Sequence, residues 1–156
     1  MELDKNFKEF LSLLIDKRVE FLVVGGYSVA FHGFVRYTGD FDVWINPTKQ
    51  NAEKMEIALS EFGFSSLGLQ MKDFIVSGQV IQLGVEPLRI DIMTSISGVD
   101  SFQTAFDNRE TIEISGLELN YIGYQDLVTN KNETGRLQDK RDLVELKNIR
   151  QKNTKK

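Results

Sequence analysis

The chain has no cysteine, one histidine, one tryptophan and two prolines among 156 residues. Without cysteine, disulfides, zinc–thiolate sites and thiol catalysis are excluded. No apolar run approaches the roughly 20 residues that cross a bilayer. The start, Met1-Glu2-Leu3-Asp4-Lys5, has no basic region followed by an apolar stretch, so no secretory signal is expected. These absences fit a cytoplasmic protein. What is present is globular in character: 41% apolar and 27% charged residues, at the length of one domain with a sizeable core. One domain is expected over residues 1–150, followed by a basic, disordered tail at 151–156. Net charge is −4, unevenly spread: from Lys131 to Lys156 nine Lys or Arg stand against four Asp or Glu. A basic C-terminal segment beside an acidic body is a possible contact for phosphate or nucleic acid; a solvated helix is the plainer alternative.

The most informative stretch is residues 22–45. Phe21 to Val24 reads as a buried strand, broken by Gly25-Gly26. A short helical segment follows, from Tyr27 to Phe34, with Gly33 near its end. Asp40-Phe41-Asp42 then opens a second apolar strand that runs to Ile45. Strand side chains alternate faces, so Asp40 and Asp42 share one face while Phe41, Val43 and Ile45 point into a core. Two residues along a strand span about 7 Å. Flexible carboxylates at that separation can converge on one or two divalent ions. Trp44 shares their face and could stack a base, although sheet packing is the commoner role. His32 could act as a general base or be a polar helix-end residue.

Around this stretch the pattern is α/β. Residues 3–18 carry Phe7, Phe10, Leu11 and Leu14 at helical spacing. Asn46-Pro47 looks like a helix start, with Asn as N-cap, and Ala52, Met55, Leu59 and Phe62 mark a core-facing helix over 48–62. Residues 64–78 give no clear period. Val80–Leu83 and Leu88–Met93 read as a hairpin turning through Gly84-Val85-Glu86-Pro87. Asp100 or Ser101 caps a short helix through Phe106. Thr111–Ile114 and Leu117–Tyr121 form a second hairpin about Ser115-Gly116. Two final helices are expected over Tyr124–Asn132 and Gln138–Arg150. The whole predicts a mixed, twisted sheet of about five or six strands with helices packed on it. An aspartate flanked by Ile90 and Ile92 is costly unless it has a partner, which makes Asp91 a candidate third carboxylate; a salt bridge with Arg89 is the alternative.

Gly25-Gly26, about ten residues of helix and loop, then Asp40-x-Asp42 resembles the signature of the polymerase-β-like nucleotidyltransferase superfamily, whose palm-like fold would carry C-terminal helices here. Arg36-x-Thr38-x-Asp40-x-Asp42, the Arg89–Val99 stretch and the Lys131, Arg136, Arg141-Asp142 motif are similar to a stand-alone bacterial branch akin to the AbiEii abortive-infection toxins. The resemblance implies transfer of an NMP unit from an NTP to a hydroxyl acceptor: an RNA or tRNA 3′ end, a protein side chain or a small molecule. It also implies a possible toxin–antitoxin or phage-defence role, with an antitoxin as possible partner. Asp40 and Asp42 would hold a nucleotide-associated Mg²⁺, with all three carboxylates on a second ion that activates the acceptor; Mn²⁺ is possible. Gly25 and Gly26 would cradle pyrophosphate at a helix start, with Ser28 as a hydroxyl donor and Arg36 and Thr38 close by. Lys131 and Arg136 would meet triphosphate charge, and Asp142 would orient one of them. Alternatives are a helix–helix salt-bridge network for the last motif, and a non-catalytic nucleotide- or protein-binding module for the whole.

Overall fold

A computed structural model describes residues 3–85 and 88–154. Twelve elements follow in order: α1 (Lys5–Asp16), β1 (Phe21–Val24), α2 (Gly25–Phe31), β2 (Asp40–Ile45), α3 (Lys49–Leu59), β3 (Val80–Leu83), β4 (Arg89–Met93), α4 (Phe102–Asp107), β5 (Glu110–Ile114), β6 (Leu117–Tyr121), α5 (Tyr124–Thr134) and α6 (Leu137–Thr154). The strands make one six-stranded sheet in the order β3-β4-β2-β1-β6-β5. The β2–β4 and β1–β6 pairs are parallel and the other three pairs antiparallel. This is the mixed sheet expected.

The sheet divides two cores. Phe41, Val43 and Ile45 of β2 join Val23, Ile90 and Ile92 on one face, beneath Phe7, Phe10, Leu11 and Leu14 of α1 and Ala52 and Met55 of α3. On the other face Leu22, Val24 and Trp44 meet Phe102, Leu127 and Leu146 from α4, α5 and α6. β1 is buried on both faces, which explains its unbroken apolar run. Trp44 is therefore a core residue, with its ring edge-on to Phe102 at 5.2 Å.

Several boundaries differ from expectation. Thr48, not Asn46, caps α3 by accepting from the Asn51 N–H. Asn46 is engaged elsewhere: its N–H donates to the Glu20 carbonyl and its own carbonyl accepts from the Asn51 amide. Ser101 caps α4. The ambiguous stretch after α3 is a series of single turns, Ser60–Phe64, Ser65–Leu67 and Met71–Phe74, too short to show a period. The β5–β6 turn takes positive φ at both Ser115 and Gly116, the primed geometry that matches strand twist. In the β3–β4 turn Glu86 and Pro87 lie outside the described residues, as do Lys155 and Lys156. The expectation of a disordered tail is corrected over residues 151–154: α6 continues to Thr154, and no Pro or Gly interrupts it. Among the described residues no helix is long and apolar enough to cross a membrane.

Candidate active site

Strand register builds the carboxylate cluster. In the β2–β4 ladder Asp42 lies opposite Asp91, and Asp40 opposite Arg89. Parallel neighbours at matched positions point the same way, so Asp40, Asp42, Arg89 and Asp91 crowd one patch of the sheet. One oxygen from each of the three carboxylates lies within 4.8 Å of the other two. Asp91 lies beside the other two carboxylates and is also paired with Arg89. Its two oxygens accept from Arg89 Nε and Nη2, at 3.1 Å each. Arg89 Nη2 reaches Asp40 Oδ2 as well, at 3.1 Å.

The charge in this patch is not balanced. Asp42 is 8% exposed, and its Oδ1 is buried with no hydrogen-bond partner. Burial, the neighbouring Asp40 charge, hydrogen bonding with Asp40 and the nearby Asp91 push the Asp42 carboxyl up to about 8. Burial also pushes Asp91 up, against the pull of Arg89. For Asp40 burial acts upward too, but the hydrogen bond with Asp42 and the Arg89 charge outweigh it, and its carboxyl sits below the ordinary value. Three hard oxygen donors with one orphaned buried oxygen fit Mg²⁺ or Mn²⁺.

The glycine turn abuts this cluster. Gly25 has φ +66°, and a Cβ there would collide with the Asp42 carboxyl. A Cβ on Gly26 would stand 2.6 Å from Thr38 Oγ1 and 3.5 Å from Arg36 Nη1. Both positions thus require the absence of a side chain. The Thr38 hydroxyl donates to the Asp40 carbonyl at 3.2 Å and braces the entry to β2. Ser28 departs from expectation. It is fully buried, and its hydroxyl donates to the Gly25 carbonyl at 2.6 Å, so it steadies the turn and offers no donor to the cleft.

A second charged cluster joins α5 and α6 to the loop before β2. Arg36 donates through Nε and Nη2 to both oxygens of Asp142, at 2.8 and 2.9 Å. Lys131 Nζ lies 3.0 Å from Asp139 and 3.2 Å from Asp142. Arg136 grips Asp139 through its backbone N–H, Nε and Nη2. Asp139 and Asp142 are fully buried. Burial alone would raise them, but Arg136, Thr134 and Lys131 hold Asp139, and Arg36, Gln138 and Lys131 hold Asp142, below the ordinary carboxylate range. Asp139 was missed in the sequence. Its signal was the i,i+3 spacing of Asp139 and Asp142, which places both on one face of α6.

The two clusters meet at a cavity of about 220 Å³ whose walls include Gly25, Asp42, Ser95, Asn130, Lys131 and Arg136. A larger cavity, about 460 Å³, lies between Phe31 of α2 and Ile112 and Ile114 of β5. It contains none of the carboxylates, so the smaller cavity is the candidate site. His32 lies apart from it: Nε2 is 2.8 Å from the Ile122 carbonyl and Nδ1 3.4 Å from Glu110, an anchor of α2 to the β5–β6 hairpin.

Comparison with known proteins bears on the fold and the family. Lincosamide antibiotic adenylyltransferase LnuA, solved with lincomycin bound, superposes with a TM-score of 0.61 at 16% identity, over 95% of this chain and 98% of that one. TM1012 of Thermotoga maritima, named provisionally as a nucleotidyltransferase, gives a TM-score of 0.57 at 16% identity over 92% and 91%. At such identity these likenesses establish the fold. No curated protein matches the sequence. A family model, "nucleotidyl transferase of unknown function (DUF2204)", matches residues 4–156. With all but the first three residues inside that match, the chain belongs to this nucleotidyltransferase family.

Proposed function

We propose that the chain moves an NMP unit from an NTP to a hydroxyl acceptor in a divalent-metal-dependent reaction, with an RNA 3′ end, tRNA among them, as the favoured acceptor. The observation that carries this is the orphaned Asp42 oxygen inside a three-carboxylate cluster, packed against a glycine turn. Asp40, Asp42 and Asp91 would hold Mg²⁺ or Mn²⁺, which when bound neutralises triphosphate charge and acidifies the attacking hydroxyl. Gly25 and Gly26 leave the backbone bare where the polyphosphate would approach. Lys131 and Arg136 line the same cavity, held there by Asp139 and Asp142. Asp91 accepts the hydroxyl proton as the acceptor oxygen bonds to the α-phosphorus and the bond to departing pyrophosphate breaks.

The acceptor preference rests on α6, whose Lys140, Arg141, Lys147 and Lys152 are exposed, and on the AbiEii-like motifs. LnuA, on the same fold, is a lincosamide adenylyltransferase, which keeps a drug hydroxyl as the second acceptor reading. A cytoplasmic location is part of the proposal. Purified protein with Mg²⁺ and labelled NTPs, offered total RNA, a protein extract and a lincosamide in parallel, tests it. Label is expected in RNA and absent with Asp40→Ala or Asp42→Ala. No label anywhere, or label unchanged in both variants, overturns the reading.

A further inference from the structure

We propose that Arg89 is a built-in counter-cation that competes with the divalent ion for Asp40 and Asp91, so that the ion binds weakly alone and well together with a nucleotide. The inference rests on the reading that the three carboxylates hold a metal, and concerns what controls its entry.

Arg89 precedes Asp91 by two residues on β4, so both side chains stand on the same face. The ladder places it opposite Asp40. Its guanidinium thereby engages both oxygens of Asp91 and one of Asp40. Asp42 receives no hydrogen bond from it, and its buried Oδ1 is left without a partner. An ion that takes an oxygen from each carboxylate must therefore win Asp91 and Asp40 oxygens from Arg89. A guanidinium does not give up its charge in a protein, so it has to move aside as a cation. Its side chain is 29% exposed, which leaves a path to solvent. Arg136 also lends positive charge to Asp40 and Asp42, so a displaced Arg89 enters a neighbourhood that already holds a cation. A polyphosphate is the anion that would make that displacement favourable. Ion and nucleotide then raise each other's affinity, as linkage requires.

The test is Mn²⁺ binding to the full chain, read by loss of the free-ion electron paramagnetic resonance signal. Wild type is compared with Arg89→Gln and Arg89→Lys, with circular dichroism to confirm folding. Without nucleotide, Arg89→Gln should bind Mn²⁺ about tenfold more tightly, the order expected when a competing unit charge leaves a part-buried site. Arg89→Lys keeps the charge but loses the fork, and should move the same way by less; it carries the comparison if Arg89→Gln does not fold. A fluorescent non-hydrolysable ATP analogue should gain less affinity from Mn²⁺ in the variants than in wild type. Equal or weaker Mn²⁺ binding by the folded variants overturns the role of Arg89 and leaves the metal site standing. Absence of Mn²⁺ binding in every protein overturns both.

Discussion

Two charged clusters sit within one cleft and are built on opposite terms. Around Asp139 and Asp142, three cations from three segments face two carboxylates, and every carboxylate oxygen is engaged. Around Asp42, three carboxylates face one guanidinium, and one buried oxygen has no partner. The first arrangement pushes its acids down, the second pushes Asp42 and Asp91 up. Burial is common to both, so the difference is the supply of positive charge. A saturated network fixes the relative placement of α5, α6 and the loop before β2. A starved one costs folding free energy and can be satisfied only by something from outside.

The sharpest way to break this contrast is through activity. Asp40→Ala or Asp42→Ala should lower nucleotidyl transfer on the order of 10³-fold, the scale of losing a preorganised electrostatic contact, as read by label incorporation. The same region should respond oppositely in stability: Asp42→Asn should raise the melting temperature of the metal-free protein at pH 8. Next in size, Asp139→Asn or Asp142→Asn should destabilise by about 3–5 kcal/mol in urea unfolding, because Lys131 is left buried with half its neutralisation. If both clusters shift stability in the same direction, the distinction between them fails. Gly25→Ala should cost about 1–2 kcal/mol for the left-handed backbone alone. It should also cut transfer by displacing Asp42, whereas Gly63→Ala, at positive φ but with open space around it, should leave transfer unchanged.

The last contrast is the pH dependence of stability. The Asp42 carboxyl is raised from 3.8 to about 8 on folding, so the folded chain binds the extra proton between those values. Its contribution is therefore full below 3.8 and lost as pH rises toward 8. Asp40, shifted down beside it, acts only below 3.8 and leaves that window unchanged. Asp139 and Asp142 act the other way: their contribution is present above the ordinary carboxylate range and disappears as pH falls through their depressed values. Melting temperatures followed from pH 8 down to about pH 2 without divalent ions should thus lose their alkaline fall in Asp42→Asn and keep less of their fall below 3.8 in Asp142→Asn.

Much of this was legible in the chain because period-2 and period-3.6 patterns are strong where one face is buried. The six strands, the glycine turn and the shared face of Asp40 and Asp42 all follow from local spacing. What was not legible depended on side chains choosing among nearby partners. Asn46 had the chemistry of a cap, yet Thr48 took the role because Asn46 was drawn to Glu20 and Asn51. Ser28 had the chemistry of a phosphate donor, but the Gly25 carbonyl lies nearer. Asp139 was signalled only by its spacing from Asp142, which many charged residues on α6 share with a neighbour. Arg89 was visible only as a rival explanation for Asp91, whereas the ladder makes it a partner of Asp40 too.

The parallel pairing of β2 with β4 has a consequence for how the molecule is assembled. The residues it joins are separated in sequence by α3, three single turns and β3. Asp91 therefore reaches its companions only after that long excursion has closed, and a growing chain cannot capture an ion before β4 has emerged and docked. A slip of one position would swing Asp91 to the opposite side of the sheet. Insertions in the connecting turns should be tolerated, while a single residue added within β4 should abolish ion capture even in a chain that still folds.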